Sequence, residues 1–174
     1  MLRTPGMFDP FFVWIESTAL NRWLVESTSV FAFPMVLAVH TIGLALLVGL
    51  NAALDFRILG VAPHIPVAEF RRFLPVMWAG FRLNAASGVL LLIAYPTKAL
   101  TNPVFYLKLG LIGVATAILL AVRRRVLAEQ IPAPQAGRVK LLAVASLVCW
   151  AGAIVAGRLL AYTYNRLTAA GGFE

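Results

Sequence analysis

Four long apolar stretches alternate with short polar segments along the chain. They run from about Val30 to Leu54, Leu74 to Tyr95, Pro103 to Val122 and Leu141 to Tyr162. Each is long enough to cross roughly 30 Å of hydrocarbon as a helix that rises 1.5 Å per residue. Segments 61–66, 95–103 and 131–138 separate them and carry proline and other turn formers. The pattern predicts an all-α integral membrane protein, a four-helix transmembrane bundle forming a single domain over residues 1–174.

An amphipathic segment, residues 9–27, precedes the first span. Asp9 followed by Pro10 is a good N-cap and first-turn pair. Apolar side chains fall on one face of the predicted helix and polar ones fall towards the other. A helix of this kind, with two tryptophans, suits the plane of the membrane interface better than a crossing. We therefore expect an N-terminal interfacial helix that serves as an anchor, or alternatively as a lid or docking surface.

The composition favours contact with the lipid bilayer and argues against nucleic-acid binding. Hydrophobic residues make up 61% of the chain and charged residues 13%, whereas about a quarter of a soluble domain is charged. The net charge of +8 lies mostly at the ends of apolar stretches, where basic residues set membrane orientation. Segments 55–73 and 123–140 hold eight basic residues against four on the other side. This asymmetry predicts that both loops are cytoplasmic and that both termini face outwards.

Ionisable side chains inside a membrane are costly and indicate function. Counting residues from the outer ends of the spans places His40 about 15 Å deep, and Lys108 and Arg158 roughly 8 Å deep. Arg82 lies deeper, at roughly 20 Å, and Asn84 is about level with His40. The nearest acids, Asp55 and Glu69, are expected at the cytoplasmic edge. The predicted cofactor-binding residues are His40, Arg82, Asn84, Lys108 and Arg158.

A central imidazole beneath two cations fits a haem b. His40 would be the axial ligand to the iron, and Lys108 and Arg158 would neutralise the haem propionates. A quinone, hydrogen-bonded by His40 and Asn84, is an alternative that needs fewer cations. His64 is the only other histidine and lies in a loop too far away, so a second iron ligand would come from a partner or a second copy, or the iron would be five-coordinate.

Simpler interpretations use the same residues without a cofactor. His40 can make an interhelical hydrogen bond to Asn84 or Ser87. Lys108 and Arg158 can extend to lipid phosphates at the outer surface. The sequence carries no nucleophile-elbow, zinc-protease or phosphate-loop motif. Whether the chain is an enzyme therefore stays open, and a subunit without activity of its own is favoured.

Short motifs in the four spans resemble a group of bacterial four-span inner-membrane proteins classed as domains of unknown function. The matching stretches are AVHTIGLALLVG, FRLNAASGVLLL, YLKLGLI and AGRLLAY, within residues 28–164. More distantly, the layout is similar to the copper-resistance protein D and cytochrome-b-like membrane families, which place a histidine in one span and a lysine near the start of another. The resemblance implies a multi-pass protein of the bacterial inner (cytoplasmic) membrane with periplasmic termini. Unlike the cytochrome-like families, this chain has no further intramembrane histidine.

Three functions follow as hypotheses. The first is a small membrane subunit that binds a haem-like or quinone redox cofactor around His40. The second is a non-catalytic accessory or scaffold subunit, whose buried cations meet acids or lipids of a larger membrane complex and which binds no cofactor. The third is a small transporter of an anion or a metal, which would have to be a homo-oligomer to enclose a pathway.

Overall fold

Long helices dominate the computed structural model, which describes residues 9–126 and 136–169. Four helices of this part are long and apolar enough to cross a membrane, which confirms the predicted all-α bundle and makes the chain a multi-pass membrane protein. Short helices cap the two ends of the bundle. The elements are α1 (Asp9–Glu16), α2 (Ala19–Glu26), α3 (Phe33–Leu59), a 3₁₀ helix (Val67–Phe73), α4 (Leu74–Ala94), α5 (Pro96–Leu100), α6 (Pro103–Val126) and α7 (Ala136–Ala169).

The first spanning helix, α3, is shifted from the predicted span. It begins at Phe33 because Pro34 occupies the first turn, where the missing N–H of proline costs nothing. It continues past Leu54 to Leu59 and ends at Gly60, whose φ of +112° is the left-handed conformation of a helix C-cap. Asp55 and Arg57 therefore belong to the helix and not to the loop after it.

The amphipathic segment forms two helices where one was predicted. The break falls before Thr18, whose hydroxyl accepts a hydrogen bond from the Asn21 N–H at 3.2 Å and so caps α2. Asn21 then donates to the carbonyls of Ile93 and Ala94 at 2.8 and 3.1 Å. These bonds fix α2 across the end of α4. We call this end, which carries α1, α2 and α5, the outer end after the predicted topology, and the end with the 3₁₀ helix the inner end.

Helix packing follows a simple order. Helix α3 packs against both α4 and α7, and α6 packs against α7. Large side chains of all four spanning helices meet in one apolar cluster between them. The central members of this cluster are Leu47, Leu54, Met77, Leu119 and Trp150.

Two glycines bring α3 and α4 into backbone contact. A Cβ atom on Gly43 would lie 2.7 Å from the backbone nitrogen of Asn84 and 2.9 Å from the carbonyl oxygen of Gly80. A Cβ atom on Gly80 would in turn lie 2.9 Å from the carbonyl oxygen of Gly43. Real side-chain carbons do not approach backbone atoms this closely, so only glycine fits at either position.

Small residues spaced four apart predict further close contacts, at the pairs Ala45 and Gly49, Gly113 and Ala117, and Ala153 and Gly157. The prediction is wrong for the first two pairs, whose residues are exposed; a Cβ atom on Gly49 or Gly113 would meet no other atom within 4 Å. The third pair does lie inside the bundle, since Ala153 is buried and the Lys108 side chain lies against Gly157. The contact of Gly43 with Gly80 joins two different helices, so no spacing within one helix predicts it.

Gly43→Ala is expected to lower the free energy of unfolding by about 1–3 kcal/mol, because the new methyl group forces the two backbones apart. Thermal unfolding of the detergent-solubilised protein, followed by circular dichroism, measures the loss. Gly49→Ala is the matched control in the same helix and should leave stability unchanged. Equal stability of the two variants would mean that the close α3–α4 contact is not made.

Candidate functional site

His40 lies where α3 and α4 meet, one turn from the glycine contact towards the outer end. Its Nδ1 is 3.0 Å from the backbone carbonyl oxygen of Asn84 and 3.1 Å from the hydroxyl oxygen of Ser87. In return, the Asn84 side-chain amide donates to the carbonyl oxygen of His40 at 2.9 Å. A Cβ atom on Gly88 would lie 3.3 Å from the imidazole Cε1, so this glycine leaves room for the ring. The two helices are thus joined by reciprocal hydrogen bonds.

The partners of Nδ1 decide which ring nitrogen carries the proton. A backbone carbonyl is only an acceptor, and the Ser87 hydroxyl already donates to the carbonyl of Leu83 at 2.6 Å. Nδ1 must therefore be the donor, which leaves Nε2 of a neutral imidazole with a lone pair. The amide nitrogen of Asn84 lies 3.3 Å from Nδ1 and 3.4 Å from Nε2. Nearly equal distances place it over the ring face, away from the direction of the Nε2 lone pair.

Lys108 of α6 brings a positive charge to the same part of the bundle. Its side chain lies across Gly157 of α7, and a Cβ atom on that glycine would be 3.7 Å from both Cε and Nζ. Within residues 9–126 and 136–169 the ammonium group has no hydrogen-bond or ion-pair partner. Lys108 therefore points into the bundle, and the interpretation that it extends outwards to lipid phosphates is not favoured.

The other two predicted cations do not join this cluster. Arg82 and Arg158 are both exposed. Arg82 precedes Asn84 by two residues, and Arg158 follows Gly157 by one. Arg82 is two residues from Asn84, which turns it roughly 200° away around α4. Of the predicted cofactor-binding residues, the structure brings His40 and Asn84 into contact, and it turns Lys108 inwards against α7.

A second polar cluster lies between α3 and α7, nearer the inner end. The side-chain amide of Asn51 donates to a carboxylate oxygen of Asp55 at 2.7 Å and to the hydroxyl oxygen of Ser146 at 2.9 Å. The three side chains are 1%, 2% and 0% exposed in that order. The prediction that the loop begins at Asp55 is therefore wrong, because this residue lies within α3 and is turned into the bundle. The spacing along the sequence could have predicted this cluster. Asn51 and Asp55 follow His40 by 11 and 15 residues, about three and four helical turns, so they lie on the same face of α3.

The described residues contain no group of three or more His, Cys, Asp or Glu side chains placed to hold a metal ion. A bare structural zinc or a similar ion therefore has no site there. An iron that arrives inside a macrocycle needs only an axial ligand from the protein, and Nε2 of His40 has the lone pair for it.

No protein family, curated protein or solved structure matches the chain. The fold and its apolar helices define the class of the protein, which is that of multi-pass integral membrane proteins. The resemblance to bacterial four-span and cytochrome-like families stays a prediction.

Asn84→Ala removes the hydrogen bond to the His40 carbonyl and is expected to cost about 0.6–2 kcal/mol of unfolding free energy, as for other hydrogen bonds between membrane helices. Thr41→Ala is the control, because the Thr41 hydroxyl bonds only to the Leu37 carbonyl of its own helix. Thermal unfolding in detergent compares them. A loss no larger for Asn84→Ala than for Thr41→Ala would contradict the interhelical role.

Proposed function

We propose that this protein is a membrane subunit that binds a haem b, with Nε2 of His40 as the axial ligand. The observation that carries the proposal is the hydrogen bond from Nδ1 to the Asn84 carbonyl. Histidines that bind metals characteristically donate their other ring N–H to a carbonyl or carboxylate, which fixes the tautomer and orients the ring. His40 has this arrangement before any ligand is considered.

The charge of the site supports the same proposal. Lys108 presents an ammonium group inside the bundle, against Gly157 of α7 and without a partner among the side chains that the structure describes. An unpaired cation inside a membrane bundle is costly, and the carboxylate of a haem propionate would offset that cost. A haem would supply one-electron redox chemistry, while this chain would hold the ring, orient the imidazole and neutralise one propionate.

A quinone is less well supported by the geometry. A quinone carbonyl accepts hydrogen bonds, so the imidazole would have to offer it an N–H. The Nδ1 proton of His40 is already donated to Asn84 and Ser87, and Nε2 has a lone pair in its place. The side-chain amide of Asn84 is likewise used by the His40 carbonyl. Metal coordination therefore suits the free nitrogen better than quinone binding does.

An absorption spectrum tests the proposal. The protein purified in mild detergent, or reconstituted with haemin, is expected to show a Soret band that His40→Ala abolishes. His64→Ala is the matched control, because His64 is exposed in the inner loop, and it should keep the full band. A colourless wild-type protein that gains no band with haemin would rule the proposal out.

The position of Arg82 favours a second candidate function, that of an accessory subunit in a larger membrane complex. Arg82 is exposed on the outside of α4, about 12 Å along the helix from Leu74 and about 18 Å from Ala94. It makes no ion pair within the described residues. A charge at this depth facing lipid is unfavourable, and a carboxylate on a neighbouring subunit would pair with it.

Purification of the complex under mild conditions tests this second function. A stoichiometric partner is expected to co-purify with the wild-type protein and to be absent when Arg82→Leu is purified. Arg22→Leu is the control, because Arg22 is exposed on the interfacial helix α2, outside the spans. A wild-type protein that is isolated alone, or a partner that Arg82→Leu retains, would contradict the accessory role.

A further inference from the structure

The cluster of Asn51, Asp55 and Ser146 has no part in the proposed cofactor site. It lies about 16 Å along α3 from His40, at the level of the apolar cluster, and joins α3 to α7. The Asp55 carboxyl group is 2% exposed. It accepts a hydrogen bond from the Asn51 amide, which also donates to the Ser146 hydroxyl oxygen. Both partners are uncharged.

Burying an ionised carboxylate among neutral groups is strongly unfavourable. The cost falls when a cation pairs with the carboxylate or when the group binds a proton and becomes neutral. Among the side chains that the structure describes on the elements around the cluster, all the charged ones except Lys108 are turned to the surface. Those of the 3₁₀ helix, α4, α6 and α7 are exposed at Glu69, Arg71, Arg72, Arg82, Arg123, Arg124, Arg138, Lys140 and Arg158. Lys108 lies against Gly157, which is about 16 Å along α7 from Ser146.

The one charged neighbour within α3 is also engaged elsewhere. Arg57 lies two residues from Asp55, which places it on the other side of the helix. Its guanidinium group donates to the backbone carbonyls of Pro63 and Ile65 in the inner loop. These bonds hold Arg57 over the loop, so it does not face the carboxyl group.

The three side chains match a neutral acid well. The carbonyl oxygen of protonated Asp55 accepts the bond from Asn51, and its O–H has Ser146 Oγ as an acceptor. That oxygen has two lone pairs and takes one other bond, from Asn51. A metal cation fits less well, because α3 and α7 are unbroken here and contribute no backbone carbonyls to a coordination shell.

We propose that Asp55, with Asn51 and Ser146, forms a proton-binding site in the inner half of the bundle that is occupied at neutral pH. The proton is exchanged with water at the inner end, since Asp55 is four residues, about 6 Å, from the end of α3. Loss of the proton leaves a buried carboxylate among neutral partners and weakens the packing of α3 against α7. The site does not depend on the presence of a cofactor at His40.

Carbon-13 NMR of the aspartate carboxyl groups tests the site directly. The chain contains two aspartates, Asp9 and Asp55, so protein labelled at the aspartate carboxyl carbon gives two signals, and Asp9→Asn assigns them. At pH 7 the Asp55 signal is expected upfield, at the position of a protonated acid, with Asp9 downfield as a carboxylate. Raising the pH should move the Asp55 signal downfield by the full ionisation shift.

Two other results would overturn the proposal. A downfield Asp55 signal at pH 7 would show that the carboxyl group is ionised and holds no proton. This holds whether or not the signal shifts when NaCl is added, that is, whether or not a sodium ion binds there. The second measurement compares the melting temperatures of the wild-type protein and of Asp55→Asn. Asparagine has the shape of the aspartate side chain but cannot ionise. Relative to Asp55→Asn, the wild type should melt at progressively lower temperature as the pH rises from about 4, because an unfolded aspartate releases its proton there while the folded site keeps it. The decline should end once the folded site has also ionised, and parallel pH profiles would contradict the proposal.

Discussion

The backbone contact between Gly43 and Gly80 is the constraint on which the functional site depends. Where the two glycines meet, no side chain separates α3 from α4, and one turn further out His40 and Asn84 are held within hydrogen-bonding distance. Larger side chains at the crossing would move the helices apart by more than a hydrogen bond allows. The imidazole would then lose the carbonyl that fixes its tautomer, and with it the defined lone pair on Nε2.

Helix α3 carries both polar sites of the bundle on one face. Near the outer end it presents His40 to α4, and near the inner end it presents Asn51 and Asp55 to α7. Between them lies an apolar layer that includes Leu47 and Met77. The layer separates the half-buried site around His40, which we propose for a haem, from the fully buried cluster of Asn51, Asp55 and Ser146.

The sequence predicted the fold well because transmembrane helices are determined by local composition. Apolar length alone identified the four spans, and the prolines and glycines near their ends located the turns. It also identified His40, Asn84 and Lys108, since any ionisable or amide group in a span stands out from its neighbours. The break at Thr18 was missed because a cap inside an amphipathic segment does not disturb its periodicity.

What could not be predicted depends on the rotation of each helix about its axis. Arg82 and Lys108 look equivalent as cations within a span, yet Arg82 faces outwards and Lys108 faces inwards. Asp55 was assigned to a loop edge because it ends an apolar stretch, but α3 continues beyond it and turns it into the bundle. Rotation is set by contacts such as Gly43 with Gly80, which join distant parts of the chain.

The protonation state of the His40 ring tests the central claim most directly. The chain has two histidines, so nitrogen-15 NMR of histidine-labelled protein gives two sets of ring signals, and His64→Ala assigns them. The structure requires that His40, with or without a ligand, carries its proton on Nδ1 and has none on Nε2. Finding the proton on Nε2 would contradict the hydrogen bond to Asn84 and remove the basis for metal coordination at this residue.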